Sequence, residues 1–293
     1  MIYCVGETVL DIIFKQAQPH TVRVGGSALN TAVSLATLGN ALSFISEIGS
    51  DHVGDMCIDF LQSRGIDISL LQRYESRQTA IALAFLNEEN NASYQFYKDE
   101  TPQCECSVPQ FRRGDFVLVA SSFALKERNR AFLQNLFFAA HQSGATIFYD
   151  PNMRRAMHPH LPEYRAFREN CENATIVRCS DDDCVHIWGH CNTALIYKEL
   201  QICGVQLFVC TYSSEKVEVF APSGTYSFNV SKIPTVSTVG AGDTFNAALL
   251  HSIHAAHTDI RELSEGFYAQ ALPFAIHCAG RVCQSFDNYL LDF

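Results

Sequence analysis

The chain of 293 residues has no apolar run of membrane-spanning length, no basic leader, no surplus of positive charge, no low-complexity linker and no internal repeat. Each absence removes a class of function. A helix that crosses a bilayer needs about 20 consecutive apolar residues. The opening Met1-Ile-Tyr-Cys-Val-Gly-Glu-Thr-Val-Leu-Asp11 has acidic residues interrupting its apolar run, so it does not read as a secretory signal. A net charge of −10, from 21 Lys and Arg against 31 Asp and Glu, supplies no field to recruit nucleic acid or an anionic membrane. The Gly-x-x-x-x-Gly-Lys-Ser/Thr pattern of a P-loop enzyme does not occur. Only Gly6 follows the first apolar run, so the glycine fingerprint of a dinucleotide-dependent oxidoreductase is missing as well. The 12 cysteines are scattered through core-like segments with no export signal, and are expected as reduced thiols in a cytoplasm.

What is present is organised around Ser237-Thr-Val-Gly-Ala-Gly-Asp-Thr-Phe-Asn-Ala-Ala-Leu249. An extended, β-branched segment passes through Gly240-Ala241-Gly242 into a run where Phe245, Ala248, Leu249 and Ile253 recur at helical spacing. A strand-to-helix turn through small residues exposes the unpaired N–H groups of the first helical turn, and with the helix dipole these favour an anion. Asp243 stands beside that position. A carboxylate next to an anion hole can take a proton from a hydroxyl while that hydroxyl attacks a phosphoryl group; it can also simply cap a helix.

Gly240-Ala241-Gly242-Asp243-Thr244-Phe245 resembles the C-terminal signature of the ribokinase/PfkB family of carbohydrate kinases. Gly25-Gly26-Ser27-Ala28-Leu29-Asn30-Thr31-Ala32, followed by Leu38-Gly39 and Ile48-Gly49-Ser50-Asp51-His52-Val53-Gly54-Asp55, resembles the N-terminal signature. The two matches stand in the family's order and at its separation, and the resemblance runs from the first strand to near the end of the chain. It implies an α/β, three-layer ribokinase-like domain over residues 1–293, with a mainly parallel sheet and a small β-sheet lid from about 12–24 and 79–98. It also implies ATP and Mg²⁺ as cofactors and transfer of the γ-phosphate to a primary hydroxyl of a small sugar. Asp243 would be the base and Gly240, Ala241 and Gly242 the anion hole. Asp11, Gly25, Gly26 and Asn30 would hold the sugar, and a homodimer would form through the lid.

The residues agree with this outline independently. Ile2–Val5, 43–48, 116–120 and 146–149 read as buried strands. Stretches 53–61 and 130–142 read as helices, so β-then-α units repeat and point to a parallel sheet covered on both faces. Thr79–Leu86 and Ser93–Tyr97, separated by the polar Asn87-Glu-Glu-Asn-Asn91, read as a hairpin outside that alternation. Asp11 is expected at the carboxyl end of the first strand, where open α/β sheets bind ligands. Residues 271–281 read as an apolar helix, which by resemblance packs against adenine.

Asp150-Pro151-Asn152-Met153-Arg154 resembles a motif of family members acting on fructose and on keto-deoxy sugar acids. Asn152 could hydrogen-bond a ligand or fix the loop, and Arg154 could meet phosphate or carboxylate with a bidentate fork. Fructose is the expected sugar, 2-keto-3-deoxygluconate the rival, and a catalytically weak sugar-binding relative the third reading. Ser180 and Asp183 stand where the family has Asn or Ser followed three residues later by a Glu that holds Mg²⁺ through water. Thr211 matches the family's nucleotide-phosphate loop, but Ser213 and Lys216 replace its two glycines, and Ser237 replaces an Asp. Cys184, His186, His190 and Cys191 match no standard zinc spacing, because Gly189 interrupts the helix. Cys104-Glu-Cys106 lacks redox spacing, and His251, His254 and His257 drift around one helix.

Overall fold

Ile2–Val5 forms β1, and its alternation sets the layering: Ile2 and Cys4 enter one core and Val5 another, all fully buried. A parallel strand covered on both faces needs such a continuous apolar run. The structure, a computed structural model, describes residues 1–86, 92–99 and 103–293. From β1 the chain leaves the main sheet as β2 (Val9–Lys15) and β3 (Gln18–Gly25), then enters α1 (Ser27–Thr37), β4 (Leu42–Gly49), α2 (His52–Ser63) and β5 (Leu71–Tyr74). The hairpin β6 (Ile81–Leu86) and β7 (Ala92–Tyr97) precedes β8 (Phe116–Ala120), α3 (Arg130–Ser143), β9 (Thr146–Asp150), α4 (Pro162–Asn173) and β10 (Ile176–Ser180). Next come α5 (Asp181–Trp188), α6 (Thr193–Ile202), β11 (Leu207–Tyr212), β12 (Lys216–Ala221), β13 (Gly224–Asn229), α7 (Ala241–Ala256) and α8 (Glu265–Cys283).

The large sheet has nine strands in the order β13-β12-β11-β10-β9-β8-β1-β4-β5. Its strands are parallel apart from β12 and β13, which close one edge antiparallel. Helices α1, α2, α7 and α8 pack one face and α3 to α6 the other, each over its own apolar core. The second sheet has four strands in the order β3-β2-β6-β7. No helix among the described residues is long and apolar enough to cross a membrane.

Three expectations need correction. Asp11 does not follow β1; it lies within β2, whose partners are β3 and β6, so the small sheet rather than the main one carries it. The last helix starts at Glu265, not at residue 271, because Ser264 caps it by accepting from the Phe267 N–H and Glu265 sits in its first turn. Helices α4 and α6, absent from the periodicity reading, bury only narrow stripes, such as Ala166, Phe167, Asn170 and Cys171 in α4. The turn at 87–91, read as the hairpin's polar connection, lies outside the described residues.

Candidate active site

The Gly240 turn is set by a backbone that only glycine suits. Its φ is +79°, in the left-handed region, and a Cβ there would overlap the backbone of Asn288. The Ser237 hydroxyl accepts the Val239 N–H at 3.2 Å, and the Ala241 N–H bonds the Thr238 carbonyl at 3.3 Å, so the turn is tied down before α7 begins. Gly242 lies directly on the Arg178 guanidinium, which a Cβ would approach to 3.0 Å. Arg178 is buried and its charge is held by Asp150 at 3.2 Å and by the Thr211 hydroxyl at 2.5 Å. A helix N-terminus backed by a buried cation makes a site for anionic oxygens.

Asp243, next in the chain after Gly242, is 7% exposed and receives two hydrogen bonds on separate oxygens: Ser27 Oγ donates at 2.6 Å and Asn30 Nδ2 at 2.8 Å. Ser27 in turn accepts from Asn152 Nδ2 at 3.1 Å, so the β9–α4 connection reaches the carboxylate through one hydroxyl. Thr31 donates to the Asp243 carbonyl at 3.1 Å. Burial raises the Asp243 carboxyl above the ordinary carboxylate range, and the Ser27 and Asn30 hydrogen bonds and the charges of Arg178 and Arg154 oppose that rise.

On the small-sheet side, Asp11 accepts from Asn288 Nδ2 at 3.2 Å, and burial pushes its carboxyl up to about 7 against the opposing charge of Arg154. Gly25 is small because a Cβ would enter the Asp11 carboxylate, and Gly26, at φ +122°, passes the Glu7 carbonyl too closely for any side chain. Asn30 Oδ1 is buried without a partner. An unpaired buried amide oxygen is costly in the free protein and is available to a ligand hydroxyl. Asn152 takes a left-handed φ of +44° while its N–H bonds Asp150 Oδ1 at 2.9 Å, so it fixes the loop as well as facing the site.

Asp11, Gly26, Ser27, Asn30, Asn152, Arg178 and Asp243, though not Gly25, line one cleft of about 2230 Å³ that runs from Asp11 past Asp243 to α8, where Pro273, Ile276, His277 and Gly280 form its far wall. Between them stand Ser180, Asp183, Thr211, Ser213 and Ser214. Ser180 and Asp183 form a reciprocal capping box at the start of α5, and Asp183 also accepts the Met153 N–H at 2.5 Å. With both its oxygens so engaged, Asp183 anchors the Asp150–Arg154 loop, and contact with a metal would run through water. Ser213 adopts φ +40°, the left-handed region that a glycine would take there. Lys216 does not extend toward the cleft: it bonds Glu218 at 2.6 Å and lies over the Tyr212 ring.

Among the described residues, the groups of three or more ligating side chains whose atoms lie within 4.8 Å are Cys184, Cys191 and Cys210, and Glu47, Cys104 and Cys106. Neither consists of carboxylates in the cleft. A hard divalent ion, which prefers oxygen donors, therefore finds no preformed carboxylate cage among them and would enter with a phosphate ligand.

Sequence reasoning missed Arg178, Asn246 and Asn288, and it quoted Ser27 without giving it a role. Ser27 was within reach, since it follows two glycines at a helix start. Arg178 is a mid-strand residue that pattern cannot tell from core. Asn246 donates to Asp150 from α7, and Asn288 meets Asp11 across 277 positions, so neither leaves a local signal.

The chain matches the model of the pfkB family of carbohydrate kinases over residues 1–289. Fructokinase-2 of Oryza sativa subsp. japonica is 26% identical over 266 residues, 88% of this chain and 78% of the relative. The fructokinase of Escherichia coli is 25% identical over 273 residues, 89% and 88% of the two chains. Among solved structures, fructokinase from Vibrio cholerae O395 in its fructose-, ADP- and calcium-bound form superposes with TM-score 0.85 at 19% identity, covering 98% of this chain and 94% of that one. Aminoimidazole riboside kinase from Salmonella enterica, complexed with aminoimidazole riboside and an ATP analogue, gives TM-score 0.84 at 19% identity over the same shares.

Proposed function

Because the chain belongs to the pfkB family of carbohydrate kinases, with their ribokinase-like fold and ATP-dependent activity, we propose that it phosphorylates a primary hydroxyl of fructose with Asp243 as general base. The observation that carries the proposal is the Asp243 carboxylate, fixed by Ser27 and Asn30 at the head of α7, next to the Gly240 turn. In this reading the sugar lies between the two sheets. Asp11 accepts hydrogen bonds from its hydroxyls, Asn30 Oδ1 accepts another, and Gly25 and Gly26 keep the backbone close, so that one hydroxyl oxygen points along the phosphoryl axis. Asp243 takes that oxygen's proton as it attacks. The first-turn amides of Ala241 and Gly242, with Arg178 beneath, then face the charge building on the transferred group. Thr211, Ser180 and α8 border the nucleotide. Mg²⁺ bound with ATP would neutralise phosphate charge, with Asp183 the cleft carboxylate that would hold it through water. The exposed Val22, Phe85, Phe96 and Tyr97 of the small sheet suit a homodimer through the lid.

Fructose is supported by the fructokinase relatives and by the opposite charges of Arg154 and Asp11 at the sugar end. Arg154 faces Asp11 electrostatically, which leaves a neutral polyol better matched than a sugar acid that would compete for the guanidinium. An ADP-release assay with Mg-ATP and fructose, 2-keto-3-deoxygluconate, ribose or adenosine tests this; turnover with the acid exceeding that with fructose reverses the assignment. Arg154→Gln is expected to raise the KM for fructose about 10-fold with kcat kept, since a charged hydrogen bond is worth about 1.5–3 kcal/mol. A loss restricted to the acidic sugar would reassign Arg154 to a substrate carboxylate.

The acid limb of the pH–rate profile follows from the burial of Asp243. The base works only when ionised, and its carboxyl lies above the usual range. So kcat/KM should fall as pH drops, from a point above the ordinary Asp value of about 3.9. Ser27→Ala removes a donor that favours the charged form, and is expected to move that limb to higher pH. An unmoved limb would assign the titration to another group.

A further inference from the structure

Beneath the nucleotide end of the cleft, Cys184 of α5, Cys210 of β11 and Cys191 of the connection to α6 place three sulfurs within 4.8 Å of one another. Cys184 and Cys210 are 3.8 Å apart, and Cys179 of β10 adds a fourth sulfur against Cys184. A tetrahedral ion with metal–sulfur bonds of about 2.3 Å sets its ligands about 3.8 Å apart. We propose that Cys184, Cys191 and Cys210 bind a d¹⁰ thiophilic metal ion of the Zn²⁺ class.

The cluster differs from ordinary sulfur packing in two respects. Buried cysteines usually serve as small apolar groups, but here they converge from three separate elements on one point. Cys191 is also only half-buried, which gives an ion a way in. Metal ligation requires the thiolate form of each cysteine. Each thiol that ligates therefore releases its proton to solvent, and binding must tighten as pH rises. Arg178 and Lys216, both electrostatically coupled to Cys210, offset the negative charge that a multi-thiolate complex leaves on the protein. The histidines do not take part: His186 Nδ1 faces the Met153 carbonyl at 3.1 Å. The other candidate, Glu47 with Cys104 and Cys106, is already committed. Both Glu47 oxygens bond Arg128, at 2.6 and 2.9 Å, and Tyr74 donates to one of them at 2.6 Å.

The site borders the catalytic cleft. Cys184 directly follows the Asp183 of the α5 cap, and Cys210 directly precedes Thr211, so an ion would clamp α5 to β11 under the nucleotide loop. The test titrates the full-length reduced chain with Cd²⁺, following the ultraviolet thiolate-to-metal charge-transfer band, and then displaces the Cd²⁺ with Zn²⁺. One ion per chain with a multi-thiolate band is expected. Cys191→Ser, at a half-buried position that a hydroxyl tolerates, should weaken Zn²⁺ by more than the roughly 10–100-fold that loss of an outer-shell partner costs. Cys210→Ser should act likewise, and Cys283→Ser should leave binding unchanged. Absence of the band, an unchanged metal affinity in Cys191→Ser, or loss of the band in Cys104→Ser instead would each overturn the proposal.

Discussion

Asp243→Ala is expected to lower kcat for sugar phosphorylation by about 10²–10⁴-fold, the usual worth of a positioned general base, while the KM values for sugar and ATP change little. The substitution leaves the Gly240 turn and Arg178 in place, so the anion hole survives and the nucleotide still binds. Residual turnover then measures what positioning and electrostatics achieve alone. Ser27 and Asn30 lose their acceptor, at a cost of about 1–3 kcal/mol for a buried donor left unpaired. The removal of a desolvated carboxylate, whose burial already raises its proton affinity, works in the opposite direction. The variant should therefore remain folded, and a thermal-unfolding curve run beside the coupled ADP assay separates lost chemistry from lost structure. A fall in kcat of less than tenfold in folded protein would remove Asp243 from the role of base.

The sequence exposed this half of the site because its chemistry is local. A positive-φ glycine, a helix start and a carboxylate two residues beyond form one contiguous pattern, and the Gly25-Gly26 turn before Asn30 forms another. What it did not expose is assembled across the chain. Asn288 reaches Asp11 from the far C-terminal segment. Arg178 in β10 becomes part of the site only because β10 pairs beside β9 and β11, bringing Asp150 and Thr211 within reach. The α/β outline was legible from apolar runs bounded by glycines, whereas α4 and α6 were not, since each buries only a narrow stripe. Asp11 was placed on the wrong element for a related reason. Three residues separate β1 from β2, and nothing in that short run tells whether the second strand rejoins the first sheet or begins another.

Arg178→Met is expected to destabilise the fold by about 3–5 kcal/mol, because it strands Asp150 as a fully buried carboxylate without its cation. Asp150 would retain the Asn246 amide and the Asn152 N–H. Burial already pushes its carboxyl up to about 6 with Arg178 present, and loss of the guanidinium pushes it higher. A carboxyl whose folded pKa exceeds its unfolded value contributes stability that is fully present below the unfolded pKa and lost as pH rises through the folded one. The deficit of Arg178→Met relative to wild type should therefore be smallest in acid and grow as pH rises beyond about 6, when the wild-type pair is ionised and the variant must either bury a lone charge or hold a proton. Denaturant midpoints at several pH values, with an unchanged m-value, measure it. Asp150→Asn in the Arg178→Met background should recover part of the loss and flatten its pH dependence; a deficit equal at every pH would mean that packing against Phe245 and Gly242, not charge, is what Arg178 supplies. Arg178→Lys keeps a charge near Asp150 but has no second arm for Thr211. If the cation also serves the phosphates above Gly242, that variant should keep most of the stability and still raise the KM for ATP, separating the structural part of Arg178 from its part in the reaction.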